Sequence, residues 1–317
     1  MFVSGPEGTG KSFVIKNLVS WNKIYRDKDT AVTAPTGIAA YNVQGLTIHR
    51  FLQLPVEHGG TAEYKELSGA ALKQIRQTLQ NVDLLIIDEI SVVSNITFMY
   101  IHLRLTEIFD TSDNEDGWFG SINVLVFGDL LQLPPVREDF VFVGMNKKQI
   151  DKYIKSMITF NLWELFEYDE LTINMRQKND KDYSEILSRI RLGFMTDSDI
   201  NILKTRKINL TFLKLLNDDE DNFCGIDRMI AVKIGSKVMI RRNIDVSIGL
   251  VNGTIEYDIP RLDYGITIYK SQGLSLQNAV VEARNNVFSN GQTYVAASRT
   301  YRLFLSIIDY EQNIDQI

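Results

Sequence analysis

The sequence predicts an α/β fold built on parallel sheets, and three observations carry that prediction. A complete phosphate-binding loop, Gly5-Pro6-Glu7-Gly8-Thr9-Gly10-Lys11-Ser12, stands between strand residues Phe2-Val3 and a helical stripe of Val14, Leu18 and Trp21. Short apolar runs without polar alternation follow, as strands covered on both faces require. Segments of helical periodicity separate them, the pattern of crossover connections between parallel strands.

Taken in order, Ala31-Val32-Thr33-Ala34 reads as a strand stopped by Pro35 and Gly37. Leu84-Leu85-Ile86-Ile87-Asp88 is a second and Asn123-Val124-Leu125-Val126-Phe127 a third, ending at Gly128-Asp129. Ile96, Met99 and Leu103 mark a helix between those two, and Tyr183, Ile186, Leu187 and Ile190 mark a later one closed by Gly193. The acidic run Asn217-Asp218-Asp219-Glu220-Asp221 reads as a solvated turn. A second, shorter set of strands follows it: Lys237-Val238-Met239-Ile240, Gly265-Ile266-Thr267-Ile268-Tyr269, Ala279-Val280-Val281 and Leu303-Phe304-Leu305-Ser306-Ile307-Ile308. The layout predicts two α/β domains, residues 1–175 and 176–317, the second abbreviated.

Composition narrows the class. Hydrophobic residues make up 44% and charged residues 23% of the chain, the balance of a globular protein with buried cores. No apolar run reaches membrane-spanning length, so a soluble intracellular chain without membrane partners is expected. The single cysteine, Cys224, excludes an intramolecular disulfide and fits a reducing compartment. A net charge of −6 argues against a protein that coats duplex DNA through a broad basic face, and much less against a narrow single-strand groove.

The residue types in the motifs define a chemistry. Glycines let the loop backbone curl so that successive N–H groups face phosphate oxygens. Lys11 would reach the β- and γ-phosphates of ATP, and the Ser12 hydroxyl would sit on Mg²⁺. The helix that follows would turn its positive end to the same anion. Asp88-Glu89 closes a buried strand, where open α/β sheets place their ligand crevice. An acidic pair there is common in many folds; beside a phosphate loop it becomes the second half of an ATPase site, with Asp88 holding Mg²⁺ through water and Glu89 polarising the attacking water. Gln132 can sense a γ-phosphate, because a neutral amide both donates and accepts. Arg176 and Arg299 are suited to neutralising charge on transferring phosphate oxygens, with an ordinary surface ion pair as the alternative for each.

The motifs together resemble the Pif1 family of superfamily 1B DNA helicases. The matching stretches are the phosphate loop, Thr33-Ala34-Pro35-Thr36-Gly37-Ile38-Ala39-Ala40, Thr47-Ile48-His49-Arg50-Phe51, Ile87-Asp88-Glu89-Ile90-Ser91, and the segments around Gln132 and Arg176. Ile266-Thr267-Ile268-Tyr269-Lys270-Ser271-Gln272-Gly273 and the Arg299 segment complete the set, in the family's order. The resemblance implies a P-loop NTPase with two RecA-like domains that hydrolyses ATP between them and moves 5′ to 3′ on single-stranded DNA, in repair, recombination or telomere maintenance. It implies catalytic roles for Lys11, Asp88, Glu89, Gln132, Arg176 and Arg299. It further implies strand contacts by Thr36, Gly37, Thr47, His49 and Phe51 in the first domain and by Thr267 and Lys270 in the second. No stable protein partner is inferable.

Four departures from the pattern set further expectations. The family's adenine-contacting glutamine segment precedes the loop, and the numbering leaves no room for it, so base selectivity is expected to be weakened. Only Lys207 to Val232 stands where the family carries a strand, a helix and a further DNA-contacting motif of its second domain. Gly249-Leu250-Val251-Asn252-Gly253-Thr254-Ile255 runs almost directly into Ile259-Pro260, where the family inserts a small β-rich subdomain. Tyr269 replaces a more usual histidine. A parallel sheet lacking an interior strand leaves unpaired backbone groups, so the second domain is expected to be less stable than the first or rearranged, with ATP and Mg²⁺ bound, ATP hydrolysis weak and unwinding impaired or absent. A non-motor ATP- or DNA-binding remnant, whether splice form, degenerate copy or transposon-derived, is the alternative. A GTPase or small-molecule kinase is disfavoured, because no Asn-Lys-x-Asp segment is present.

Overall fold

A computed structural model of the chain describes residues 1–56, 61–154 and 160–205, and beyond these 238–239, 255–256, 268–276, 279–283, 291–301 and 305–309. The chain divides into two compact units, Met1–Met175 and Arg176–Ile317.

In the first unit the elements run β1 (Phe2–Ser4), α1 (Lys11–Arg26), β2 (Asp29–Ala34), α2 (Gly37–Asn42), β3 (Leu46–Thr47), α3 (Ile48–Phe51), α4 (Gly69–Thr78), β4 (Val82–Ile87), α5 (Asn95–Phe109), β5 (Asn123–Gly128), a short α6 (Lys147–Gln149) and β6 (Tyr168–Glu170). The strands form one sheet in the order β3-β2-β4-β5-β1-β6. Every pairing is parallel. The carboxyl ends of β4, β5 and β1 therefore lie side by side, and the loops that leave them carry the acidic pair, Gln132 and the phosphate loop.

Strand periodicity divides the apolar residues between two cores. Phe2, Leu85, Ile87 and Val126 face one side and join the larger cluster with Phe98, Ile101 and Leu105. Their neighbours Val3, Ile86 and Phe127 face the other side and pack with Ile15 of α1. Each such side chain withdrawn from water contributes roughly 1.5–3 kcal/mol. Helix α5 is buried almost all round, from Ile96 and Phe98 through Met99 and Ile101 to Ile108, as a helix through the middle of a core must be. Its N-cap Ser94 accepts from Thr97 N–H at 3.1 Å.

Two details of α1 differ from the expectation. The stripe that faces the sheet runs through Lys11, Ile15 and Asn22, with Val14 and Leu18 partly buried beside it. Trp21 points outward and is 51% exposed. Asn22 takes the inner place because it has polar partners: its Nδ2 donates to Thr30 Oγ1 and to Asp83 Oδ1, each at 3.0 Å.

In the second unit, α7 (Lys181–Leu192) is N-capped by Asp180 and closed by Gly193 at φ 75°. Helix α8 (Asp197–Lys204) opens with a capping box between Thr196 and Asp199. Strands β7 (Val238–Met239) and β8 (Ile255–Glu256) pair antiparallel. After α9 (Ile268–Ser271), strand β9 (Ala279–Ala283) is followed by α10 (Gln292–Ala297) and β10 (Leu305–Asp309), which pairs parallel with β9. The expected strand at 265–269 is corrected in its described part, since Ile268 and Tyr269 begin a helix. An apolar run of that length does not by itself distinguish strand from helix. Cys224, the acidic run 217–221, Lys207 to Val232 and Thr267 lie outside the described residues.

Candidate functional site

The phosphate loop joins β1 to α1 with the geometry its glycines allow. Gly8 and Gly10 have φ of 85° and 90°, a conformation that residues with a Cβ rarely adopt. Gly5 is required by space instead: a Cβ there would stand 2.6 Å from Thr9 Oγ1 and 3.0 Å from Leu171 O. Gly5 N–H donates to Gly128 O at 3.2 Å and Met175 N–H donates to Gly8 O at 2.8 Å, which ties the loop to β5 and to the end of the unit. Thr9 Oγ1 closes it by donating to Pro6 O at 2.8 Å. Lys11 is buried, and its Nζ donates to Gly5 O at 2.8 Å and Pro6 O at 3.2 Å. The ammonium thus sits inside the curl of the loop. Ser12, half-buried, follows in the first turn of α1.

The acidic pair leaves the neighbouring part of the sheet. Asp88 is buried, its N–H donates to Thr33 O at 2.8 Å, and its Oδ1 accepts from Glu89 N–H at 3.0 Å. Burial pushes the Asp88 carboxyl up to about 6; the Lys11 ammonium and the Glu89 N–H oppose that rise, and the Glu7 carboxylate adds to it. Glu89 is buried and holds a left-handed backbone, φ 55° and ψ 48°. A non-glycine residue kept there stores strain of about 1–3 kcal/mol, which the surrounding packing must sustain.

From β5, Asp129 organises the turn that presents Gln132. Its Oδ1 accepts from Leu131 N–H at 3.1 Å and its carbonyl from Gln132 N–H at 2.9 Å. Asp129 is fully buried and is a positioning group that the motif reading left without a role. Its signal is legible in Gly128-Asp129, a side chain able to bond backbone two residues on. Gln132, 2% exposed, donates from Nε2 to Glu7 Oε2 at 3.3 Å. The first unit therefore gathers Lys11, Ser12, Asp88, Glu89 and Gln132 at one end of its sheet.

The strand-contact candidates fall on the β2–β3 edge. Thr47 pairs with Ala34, two residues before Thr36, so the two motifs adjoin. Thr36 caps α2, accepting from Ala39 N–H at 3.3 Å; Gly37 is buried as the first residue of that helix. Thr47 and His49 are half-buried, and burial lowers the His49 pKa. Phe51 packs against the larger core. In the second unit Lys270 lies on α9.

The two arginines of the second unit carry backbone contacts there. Arg176 donates from Nη1 to Ser298 O at 3.1 Å. Arg299 is 1% exposed and lies just beyond α10. It donates from Nε to Val295 O at 2.7 Å and from Nη1 to Ser271 O at 3.3 Å. A surface ion pair is therefore excluded as the setting of Arg299. Gln177 and Tyr183 brace the same turn, through Gln177 Nε2 to Thr300 O at 2.6 Å and Tyr183 Oη to Ala297 O at 2.7 Å. Among the described residues no helix is long and apolar enough to cross a membrane.

Comparison with known proteins bears on the family and the fold. The profile of the PIF1-like helicases matches residues 1–200, and that of the 2B domain of DNA helicase Pif1 matches residues 224–256. The second match corrects the expectation that the β-rich subdomain is missing. That expectation rested on the short spacing after Gly249, whereas the matched segment begins upstream of it and includes the β7–β8 pair. The ATP-dependent DNA helicase PIF1 of Xenopus laevis is 28% identical over 402 residues, covering 99% of this chain and 59% of that protein. The alignment is longer than the 317 residues here, so the relative carries segments without a counterpart. The ATP-dependent DNA helicase Pif1 of Campylobacter jejuni is 26% identical, covering 73% of this chain and 49% of that protein.

Among solved structures, Bacteroides Pif1 bound to single-stranded DNA superposes with a TM-score of 0.70 at 24% identity, covering 100% of this chain and 90% of that one. Pif1 helicase from Candida albicans superposes with a TM-score of 0.67 at 21% identity, covering 98% and 91%. The fold is thus that of a P-loop protein with RecA-like parallel sheets. With its profile match spanning well over half of the sequence, the chain belongs to the PIF1-like helicase family.

Proposed function

We propose that the chain is an ATP-dependent DNA helicase or translocase that couples Mg-ATP hydrolysis to 5′-to-3′ movement on single-stranded DNA. The observation that carries the reading is the convergence of the phosphate loop, Asp88-Glu89 and Gln132 on adjacent carboxyl ends of β1, β4 and β5. Loop N–H groups and Lys11 would bind the β- and γ-phosphates, with Lys11 exchanging its two loop carbonyls for phosphate oxygens. Glu89 would orient and deprotonate the attacking water, and Gln132 would register the terminal phosphate. Arg176 and Arg299 would supply positive charge to the same phosphate. Thr36, Gly37, Thr47, His49 and Phe51, with Thr267 and Lys270, would grip the strand through hydroxyl, backbone and aromatic contacts that tolerate any base.

Magnesium fits the donor set. The Ser12 hydroxyl and the Asp88 carboxylate are hard oxygen donors, and no cluster of three acidic, histidine or cysteine side chains converges among the described residues. A small cation held there would take most of its coordination from phosphate and water, as Mg²⁺ does. When bound it would supply positive charge to the phosphates of the nucleotide. Work in DNA repair, recombination or telomere maintenance is the setting this activity would serve. The remnant reading is less favoured, because family similarity extends across both units.

Steady-state ATP hydrolysis with and without single-stranded DNA, against Lys11→Ala, tests the proposal. Turnover should rise at least about ten-fold with DNA and fall by two or more orders of magnitude in the variant. Turnover that ignores DNA would support the non-motor remnant instead.

A further inference from the structure

Gly128, the last residue of β5, stands between the phosphate loop and the acidic pair. On one side it pairs with Ser4, the end of β1, and its carbonyl accepts from Gly5 N–H at 3.2 Å. On the other side β5 pairs with β4 through Val126 and Ile87. Two residues further along each strand, Gly128 comes level with Glu89. There Glu89 takes its left-handed backbone and leads into a 3₁₀ turn, Ile90–Val92. A Cβ on Gly128 would stand 2.9 Å from both Ile90 N and Ile90 Cγ2, and 3.6 Å from the carbonyl carbon of Glu89. Ordinary contact begins near 3.4 Å, so the turn would have to retreat by about half an ångström. The φ of Gly128 lies outside the left-handed region, so space and not backbone conformation demands glycine. The obstacle does not yield easily: Ile90 is fully buried in the larger core, and its N belongs to the peptide that Glu89 itself begins.

We propose that Gly128 is a positioning residue of the nucleotide site, whose missing side chain lets the Glu89–Ile90 peptide lie against β5 and so sets where Glu89 stands relative to the phosphate loop. The inference rests on the reading of Glu89 as the group that activates water, and it adds a residue that reading does not use. The carbonyl of Gly128 registers the loop, and its bare Cα registers the acidic turn. Alanine at this position keeps the carbonyl and its hydrogen bond to Gly5 but pushes the turn away. It therefore separates the chemical step from nucleotide binding. A misplacement of about 1 Å costs on the order of a hundred-fold in rate, so half of that should cost about ten-fold.

The test measures ATP turnover at saturating Mg²⁺ and single-stranded DNA, and binding of a fluorescent ADP by the same samples. Gly128→Ala should lower kcat about ten-fold and leave ADP affinity within about two-fold of wild type. Glu89→Gln sets a floor, and Gly128→Ala added to it should lower kcat no further, whereas a general loss of packing would multiply the two effects. Gly69→Ala, whose new Cβ meets nothing within 4 Å, should change neither quantity. Should Gly128→Ala abolish ADP binding, Ile90→Ala in the same chain removes the Cγ2 contact and keeps the backbone one. ADP binding should then return, with kcat still about ten-fold below that of Ile90→Ala alone. A kcat for Gly128→Ala within about two-fold of wild type, a further loss on top of Glu89→Gln, or a double variant that still binds no ADP would overturn the proposal while the site reading stands. Wild-type turnover by Glu89→Gln would overturn the site reading and this inference together.

Discussion

Arginine 104 is the sharpest test of how the first unit holds together. It is 1% exposed on α5, and its Nη1 meets Glu107 Oε2 at 2.6 Å. Its Nη2 donates to Lys65 O at 2.8 Å and Gln53 O at 3.3 Å, and its guanidinium lies 5.1 Å from the centre of the Tyr64 ring. Glu107 in turn accepts from Tyr64 Oη at 2.9 Å and Leu67 N–H at 2.7 Å. One buried ion pair thus fastens the chain after α3 to the helix that follows the acidic pair. Arg104→Ala would strand Glu107 without a countercharge and take donors from two carbonyls. Breaking a buried pair from one side costs about 3–5 kcal/mol. Glu107 keeps two donors and 15% exposure, so the lower figure, about 3 kcal/mol, is expected. Glu107→Ala should cost a similar amount, because the cation left behind is the more deeply buried partner. The double variant should then cost roughly 2 kcal/mol less than the two singles added together. Arg104 Nε lacks a hydrogen-bond partner, so Arg104→Met with Glu107→Leu should recover most of the loss. Urea unfolding followed by tryptophan fluorescence measures this directly, since Trp21, Trp118 and Trp163 all lie in the first unit. Single variants that lose less than about 1 kcal/mol, or that add without coupling, would refute the reasoning.

Two further outcomes are expected. Burial lowers the His102 pKa from 6.5 to about 4, and its Nδ1 lone pair is already engaged by Phe119 N–H at 3.1 Å. The native state therefore binds fewer protons than the unfolded chain between these values. The contribution, about 3 kcal/mol, is fully present above pH 6.5 and is lost as pH falls through about 4. An NMR titration of the imidazole should find its midpoint near 4, and a midpoint near 6.5 would contradict the burial argument. In the second unit, Tyr183→Phe removes a hydroxyl that bonds Ala297 O at 2.7 Å and Thr300 Oγ1 at 3.2 Å. The loss should be about 1–2 kcal/mol, seen as roughly ten-fold faster amide exchange in α7 and α10. Unchanged exchange there would dismiss the hydroxyl as a brace.

Much of the first unit was legible because its signals are local. A glycine at positive φ, an apolar strand and a capping serine each act over a few residues, so the loop, β2, β4, β5 and α5 emerged near their observed bounds, as did α7 in the second unit. Helix orientation was less legible. Val14, Leu18 and Trp21 satisfy a helical stripe, yet Trp21 faces outward and Asn22 inward. Periodicity ranks hydrophobicity and is blind to a polar side chain with partners waiting across the sheet. The run at 265–269 failed differently, because length and apolarity suit a strand and a short helix alike.

What the sequence by itself determined is the chemistry available: the phosphate loop, the acidic pair after an apolar strand, an amide on a neighbouring turn, and the family to which that order of motifs belongs. Tertiary structure alone decided which of these meet. The sheet order β3-β2-β4-β5-β1-β6 brings residues 7 and 132 of the first unit into one hydrogen bond, and packing within the second unit buries Arg299 among that unit's own backbone carbonyls. The reason is physical: backbone conformation and burial pattern are set largely within a few residues, whereas side-chain pairing and local charge are set by whatever the fold brings alongside.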